Sequence, residues 1–450
     1  ARVRPVSDAP PPLAAEVDPK GPWRSYKERI SRFSKRIVRA QEPIRILNAV
    51  KWPARVWTEF QRSRFRSLPP IEYSRADLGY DPVLKREELI ELEGDVRREL
   101  GETDPIAAIL IATAREYRLV VEMLERRGTP AFYELSRELY GSSSDLFADG
   151  VTSVRDIARD MYGILTGMDD TKLGPIPSRT IDAEQAVVML NERLAHVFGD
   201  SRVRVIVDDG IAADAAAGSD YVKIRAGAKF SLEDIRLLEV HEGWAHIGTS
   251  MNGQTQPVAS WLAKGPPRTA ATQEGLASLL EVLTFASHPA RAHRLNNRVL
   301  AVDKAECGAS FYDVFEWFRT EGYDEETCFW NTQRIFRGGT LDGGAPFTKD
   351  IVYMKGIVQN YNFLHAAIAQ GRPELIRWLF VGKVALPDIP ILEARAHEGL
   401  VRPPQYVPEI FNDLRGIAIW LSVGTFWSKL NSHAVFKHYE KVFSYSRAPV

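Results

Sequence analysis

The chain has 450 residues, 58 basic against 59 acidic, for a formal net charge of −1. That length can bury a large core in two or three lobes, and the near-zero charge gives no argument for nucleic acid or for an acidic partner. The longest apolar runs, 106–114 and 417–427, are too short to span a bilayer, and Cys307 and Cys328 have no zinc-finger spacing. The Pro- and charge-rich start does not read as a signal peptide. The expectation is a cytoplasmic protein with free thiols that binds neither nucleic acid nor membrane.

Residues 1–23 hold the cluster Pro10, Pro11, Pro12 and few large apolar side chains, which predicts an extended or disordered arm. A basic stretch follows over 24–66. Ile30, Phe33, Ile37 and Val38 fall there at helical spacing, which suits docking on the rest of the protein better than capture of an acidic partner. Helices are predicted over 83–100, ended by Gly101, and from Asp104-Pro105 to the break at Gly128-Thr129-Pro130. Two more are expected over 130–140 and 153–166. The Gly/Pro connector at Gly174, Pro175 and Pro177 then divides an all-α lobe, 24–173, from a second domain, 174–450.

The second domain opens with a helix over 182–198, capped by Asp182 and closed by Gly199. Val203, Val205 and Val207 alternate with polar residues as in a half-buried strand, and 221–225 reads as another. That second strand could pair with an extended substrate or form a structural hairpin. Ser231 and Asp234 then make a capping box that starts an apolar helix. On it lies HEGWAH, residues 241–246.

Two histidines flanking a glutamate suit a catalytic zinc site: neutral imidazoles bind the ion, and a carboxylate beside it accepts a proton from water. The spacing is H-E-x-x-x-H, one residue longer than H-E-x-x-H. Residues five apart on a regular helix are rotated by roughly 140°. His241 and His246 can therefore share an ion only across a π-type turn, with Gly243 easing the distortion. Ordinary structural histidines are the weaker reading, because three such groups buried without a metal would leave polar atoms unpartnered. The third ligand is expected on the next apolar helix, where Glu274 is the first choice and Glu281 the fallback. The loop between the two helices carries Trp261 and is expected to border the cleft.

The combination of HEGWAH, TQEGLA (272–277), RIFRGG (334–339) and PFTKDIVYMKG (346–356) resembles the QEGLA-motif family, the flavohemoglobin expression-modulating QEGLA motif proteins. That family is related to the microtubule-associated tyrosine carboxypeptidase of animals. The resemblance covers roughly residues 25–445 and implies zinc ligands His241, His246 and Glu274, with Glu242 as the catalytic base. It also implies exopeptidase action at a C-terminus. A terminal carboxylate needs a cation, for which Arg334, Arg337 and Lys349 are candidates, and Tyr353 could donate to the developing oxyanion.

The expected fold is α+β: a predominantly helical, zincin-like metallopeptidase with a small β-sheet beside the active-site helix. The expected function is a Zn²⁺-dependent carboxypeptidase acting on a peptide or protein C-terminus, with Glu242 as general base. An aminopeptidase or dipeptidyl peptidase would carry the same zinc motif, and a non-catalytic regulatory protein could use the metal structurally.

Overall fold

The computed structural model describes residues 3–5, 22–169, 172–199, 202–209, 211, 214–427, 435 and 437–439. Most of the arm expected over 1–23 lies outside the described residues; within it, β1 (Val3–Pro5) is a strand and Pro22 opens the first helix.

Between 22 and 169 the elements are helices: α1 (Pro22–Gln41), α2 (Ile46–Ala49), α3 (Arg55–Arg62), α4 (Pro82–Leu100), α5 (Pro105–Glu125), α6 (Pro130–Tyr140) and α7 (Val154–Thr166). Helix α5 starts as the sequence predicts, at the Asp104 cap before Pro105, and α4 starts at Pro82, one residue ahead of the expected 83, after an Asp81 cap that the sequence reading did not name. The basic stretch docks on the protein. Ile30, Phe33 and Ile37 are fully buried, while Arg36 and Arg32 pair outward with Asp95 and Glu99. Farther on, Trp52 and Phe60 enter an aromatic cluster with Phe311, Phe315 and Phe329. The larger core takes side chains from Ile30 to Leu421, on both sides of the 174–177 connector.

Helix α8 (Ala183–Phe198) packs on a three-stranded sheet of β2 (Arg204–Asp208), β3 (Ala215–Ala217) and β4 (Tyr221–Arg225). The spatial order is β2-β4-β3, with β2 parallel and β3 antiparallel to β4. Of the alternating valines in β2, Val205 is buried where Asn191 of α8 brackets its backbone, but Val207 is 38% exposed on this edge strand. The strand expected to meet a substrate, 221–225, is the central one. Its two edges are already paired, so no further chain can add to it, and both β3 and β4 pack on the HEGWAH segment.

Three segments then run continuously: α9 (Leu232–Leu238), a π-helix (Glu239–Ile247) and α10 (Gly248–Gln254). After them come α11 (Ala270–Leu283), α12 (Pro289–Glu306), α13 (Phe311–Thr320), α14 (Glu325–Phe336), α15 (Val352–Ala369), α16 (Ile389–Ala396) and α17 (Leu414–Trp427). Between the last two helices β5 (Tyr406–Pro408) pairs antiparallel with β1. The build is mostly helical with a small sheet, an α+β fold. No helix among the described residues is long and apolar enough to cross a membrane.

Candidate active site

The HEGWAH helix begins as its sequence predicts. Ser231 caps α9 and Asp234 closes the box, its carboxylate accepting from the Ser231 N–H at 2.8 Å. From Glu239 to Ile247 the bonding loosens from α to π, and this brings two histidines five residues apart onto one face. Their rings lie 4.9 Å apart, centroid to centroid. Gly243 lies against the Leu194 side chain of α8, whose terminal methyl would have to shift for a Cβ there.

The Nε2 atoms of His241 and His246 each lie 3.6 Å from the same Glu274 oxygen, Oε2. All three ligand atoms are within 4.8 Å of one another. Tetrahedral zinc with bonds of ~2.0–2.1 Å separates neighbouring ligand atoms by roughly 3.4 Å. Two imidazole nitrogens and one carboxylate oxygen at these separations therefore fit such an ion. Burial works against a proton on His241, but hydrogen bonds to Glu274 and Glu281 outweigh it and hold the pKa up to about 9. Burial alone would raise the Glu274 carboxyl, yet Lys349 and the two histidines hold it well below the usual carboxylate range.

Glu274 reaches the histidines because α11 lies almost backbone to backbone on α15. A Cβ on Gly275 would strike the backbone of Gly356, and one on Gly356 would strike that of Ala271. The glycine of TQEGLA and that of YMKG are thus two halves of one contact. Asn360 reinforces it, donating to the carbonyls of Thr272 at 3.1 Å and Gly356 at 2.8 Å.

Glu281 stays out of the three-residue cluster and meets the other side of a ligand candidate, with Oε1 2.6 Å from His241 Nδ1. Arg291 in turn donates to both Glu281 oxygens, at 2.8 and 3.1 Å. The seven-residue step from Glu274 to Glu281, two helical turns on one face, is the signal that marks it. Lys383 was not foreseen from the sequence. Its ammonium donates to the His246 carbonyl at 3.0 Å, to Thr249 Oγ1 at 3.1 Å and to Gln273 Oε1 at 2.9 Å. Burial pushes its pKa down to about 8, against the nearby Glu274 and Glu242 carboxylates.

A cavity of about 290 Å³ opens beside His241 and Glu242, and Tyr353, Arg334 and Arg337 also line it. The Glu242 side chain accepts from the Ala217 N–H of β3 at 2.9 Å. Burial and the Glu274 charge push the Tyr353 hydroxyl up, so it keeps its proton. Among the three cations named from the sequence, Arg334 is bound through two 2.8 Å hydrogen bonds to Asp350. Lys349 lies 3.6 Å from Glu274 Oε1. Arg337 is buried, and its Nε has no hydrogen-bond partner. Trp261, expected at the cleft, is 3% exposed and packed in the core; the tryptophan lining the cavity is Trp330.

No curated protein matches the chain. Residues 58–429 match the family model for the microtubule-associated tyrosine carboxypeptidase. With most of its length covered by that match, the chain belongs to the microtubule-associated tyrosine carboxypeptidase family, a family of carboxypeptidase-type peptidases.

Proposed function

We propose that the chain is a zincin-like, zinc-dependent carboxypeptidase that splits a residue from the C-terminus of a peptide or protein. His241, His246 and Glu274 would hold the ion. Bound there, zinc supplies Lewis acidity, polarising a carbonyl and lowering the pKa of water. The single observation that carries the reading is the common 3.6 Å distance from two histidine Nε2 atoms to one Glu274 oxygen, across a spacing that an ordinary helix would keep apart.

The chain's own residues supply the rest. Glu281 accepts at His241 Nδ1 and so leaves the Nε2 lone pair facing the ligand cluster. Glu242 Oε accepts a proton from the attacking water and returns it to the leaving amine. Its bond from Ala217 aims the carboxylate before substrate arrives. Tyr353 keeps its proton and donates to the oxygen on which negative charge develops. Arg337, buried without an acid partner among the described residues, suits the terminal carboxylate.

Metal analysis joined to mass spectrometry of a peptide library tests this. The unmodified chain should hold one zinc and shorten peptides from the C-terminal end. Glu242→Gln should keep the metal and lose activity by ~10²-fold or more, and His246→Ala should lose both. Full zinc occupancy in a His246→Ala, Glu274→Ala double variant, or shortening from the N-terminus, would refute the assignment.

A further inference from the structure

The two histidines of the cluster are held in different ways. His241 is oriented at Nδ1 by Glu281, which Arg291 grips in turn. His246 has no hydrogen-bond partner at Nδ1 among the described residues. The direction of its ring therefore follows from its backbone and the packing around it. A side chain from a distant segment holds that backbone: Lys383, 137 residues further along the chain, donates to the His246 carbonyl at 3.0 Å.

The same ammonium donates to Thr249 Oγ1 of α10 at 3.1 Å and to Gln273 Oε1 at 2.9 Å, on α11 immediately before Glu274. Thr249 and Gln273 are buried, with these two oxygens 2.8 Å apart. An ammonium carries three protons, and the three oxygens take all of them. None is left to protonate a leaving group or to meet a substrate, and Lys383 is not one of the described residues that line the cavity. What the lysine does is join two elements that each carry a ligand. Its own place is fixed separately, since its N–H donates to the Leu262 carbonyl at 2.6 Å and a Cβ on Gly382 would strike the Leu262 backbone.

We propose that Lys383 is a positioning residue for the metal centre: by clamping the His246 carbonyl to the first turn of α11, it sets how tightly and in what geometry His246 and Glu274 hold the ion. The inference rests on the zinc reading above. Two effects of opposite sign meet here. A cation repels a bound dication, so the charge of the lysine alone weakens binding. The Glu274 and Glu242 carboxylates attract the ammonium and offset part of that repulsion. His246, by contrast, has no Nδ1 partner to replace the clamp. Losing the group that orients a ligand typically costs ~10–100-fold in metal affinity, and the clamp is the larger of the two effects.

Two measurements on the full chain test it: zinc affinity by competition with a chelator, and the visible spectrum of the Co²⁺-loaded protein. Lys383→Met keeps most of the side-chain length and removes the ammonium. Its zinc affinity, read where circular dichroism shows the variant folded, should fall by ~10–100-fold. The cobalt band should shift or weaken as well, which a loss of global stability alone would not cause. Gln273→Leu cuts the clamp at its other end and should lower the affinity by a similar factor. Once the clamp is broken the second change has little left to remove, so the double variant should bind zinc no more weakly than either single one.

Unchanged zinc affinity in either single variant overturns the proposal and makes the lysine a structural tie. Tighter binding in Lys383→Met also overturns it, by putting charge repulsion ahead of the clamp, and so do losses that simply add in the double variant. Zinc held by the unmodified chain with no trimming of peptide C-termini overturns the carboxypeptidase reading instead, and the affinities still decide the role of Lys383. No zinc in the unmodified chain overturns both. Should Lys383→Met fail to fold, Gln273→Leu decides alone.

Discussion

His241 has two neighbours with different tasks, Glu274 at Nε2 and Glu281 at Nδ1. Glu281 is itself held by Arg291, so a buried carboxylate, an imidazole and a guanidinium form one chain of charge. Its pKa falls to about 2, because Arg291 and His241 more than offset the cost of burial. Glu281→Gln keeps the shape and removes the charge that fixes the imidazole tautomer. Zinc affinity, measured by competition with a chelator, should fall by ~10–100-fold while the fold persists. An unchanged affinity would mean that Glu281 is structural only.

At the scale of elements, the site depends on one contact that lets backbones come close, Gly275 against Gly356. Neither glycine has a positive φ, so their requirement is for space between helices and not for a special backbone conformation. Gly356→Ala should therefore force α15 away from α11, costing about 1–3 kcal/mol of stability and carrying Glu274 off the histidines. Chemical denaturation should register the first effect and weakened zinc binding the second. Loss of stability with zinc affinity intact would show that α11 keeps its place by other contacts.

Across the whole molecule, Glu116 of α5, Arg268 ahead of α11 and Asp388 ahead of α16 tie three distant parts together. Arg268 grips Asp388 with two hydrogen bonds of 2.7 and 2.8 Å, and its backbone N–H donates to Glu116 at 2.6 Å. One cation serves two carboxylates there. Burial pushes Glu116 up from the usual 4.5 to about 7, Arg268 opposing, and burial raises Asp388 as well. A carboxyl whose pKa is raised by folding binds its proton more tightly in the folded state. Its stabilising contribution is thus complete below the unfolded value and is lost as pH climbs through the folded one. Melting temperature should accordingly carry a falling component between about pH 4.5 and 7 that is absent in Glu116→Gln. The two proteins should converge at the acid end of that window and differ most above it. Parallel curves over the whole range would rule Glu116 out as the source.

Local rules were sufficient for the features that depend on neighbours in sequence. Aspartate before proline starts α5, Ser231 and Asp234 cap the HEGWAH helix, and a five-residue histidine spacing demands the π turn seen over Glu239–Ile247. The pairings between distant segments were not legible in this way. Which of Glu274 and Glu281 meets the Nε2 atoms depends on where α11 lies, and two glycines 81 residues apart decide that. Arg334 and Arg337 look alike on paper, but Asp350 neutralises one, while the other has no ion pair among the described residues. Lys383 had no motif to announce it. The crossing that puts β4 between β2 and β3 likewise joins strands by order in space and not in sequence. Spacing along a helix fixes which face a side chain takes, whereas the partner it finds there is supplied by packing of the rest of the chain.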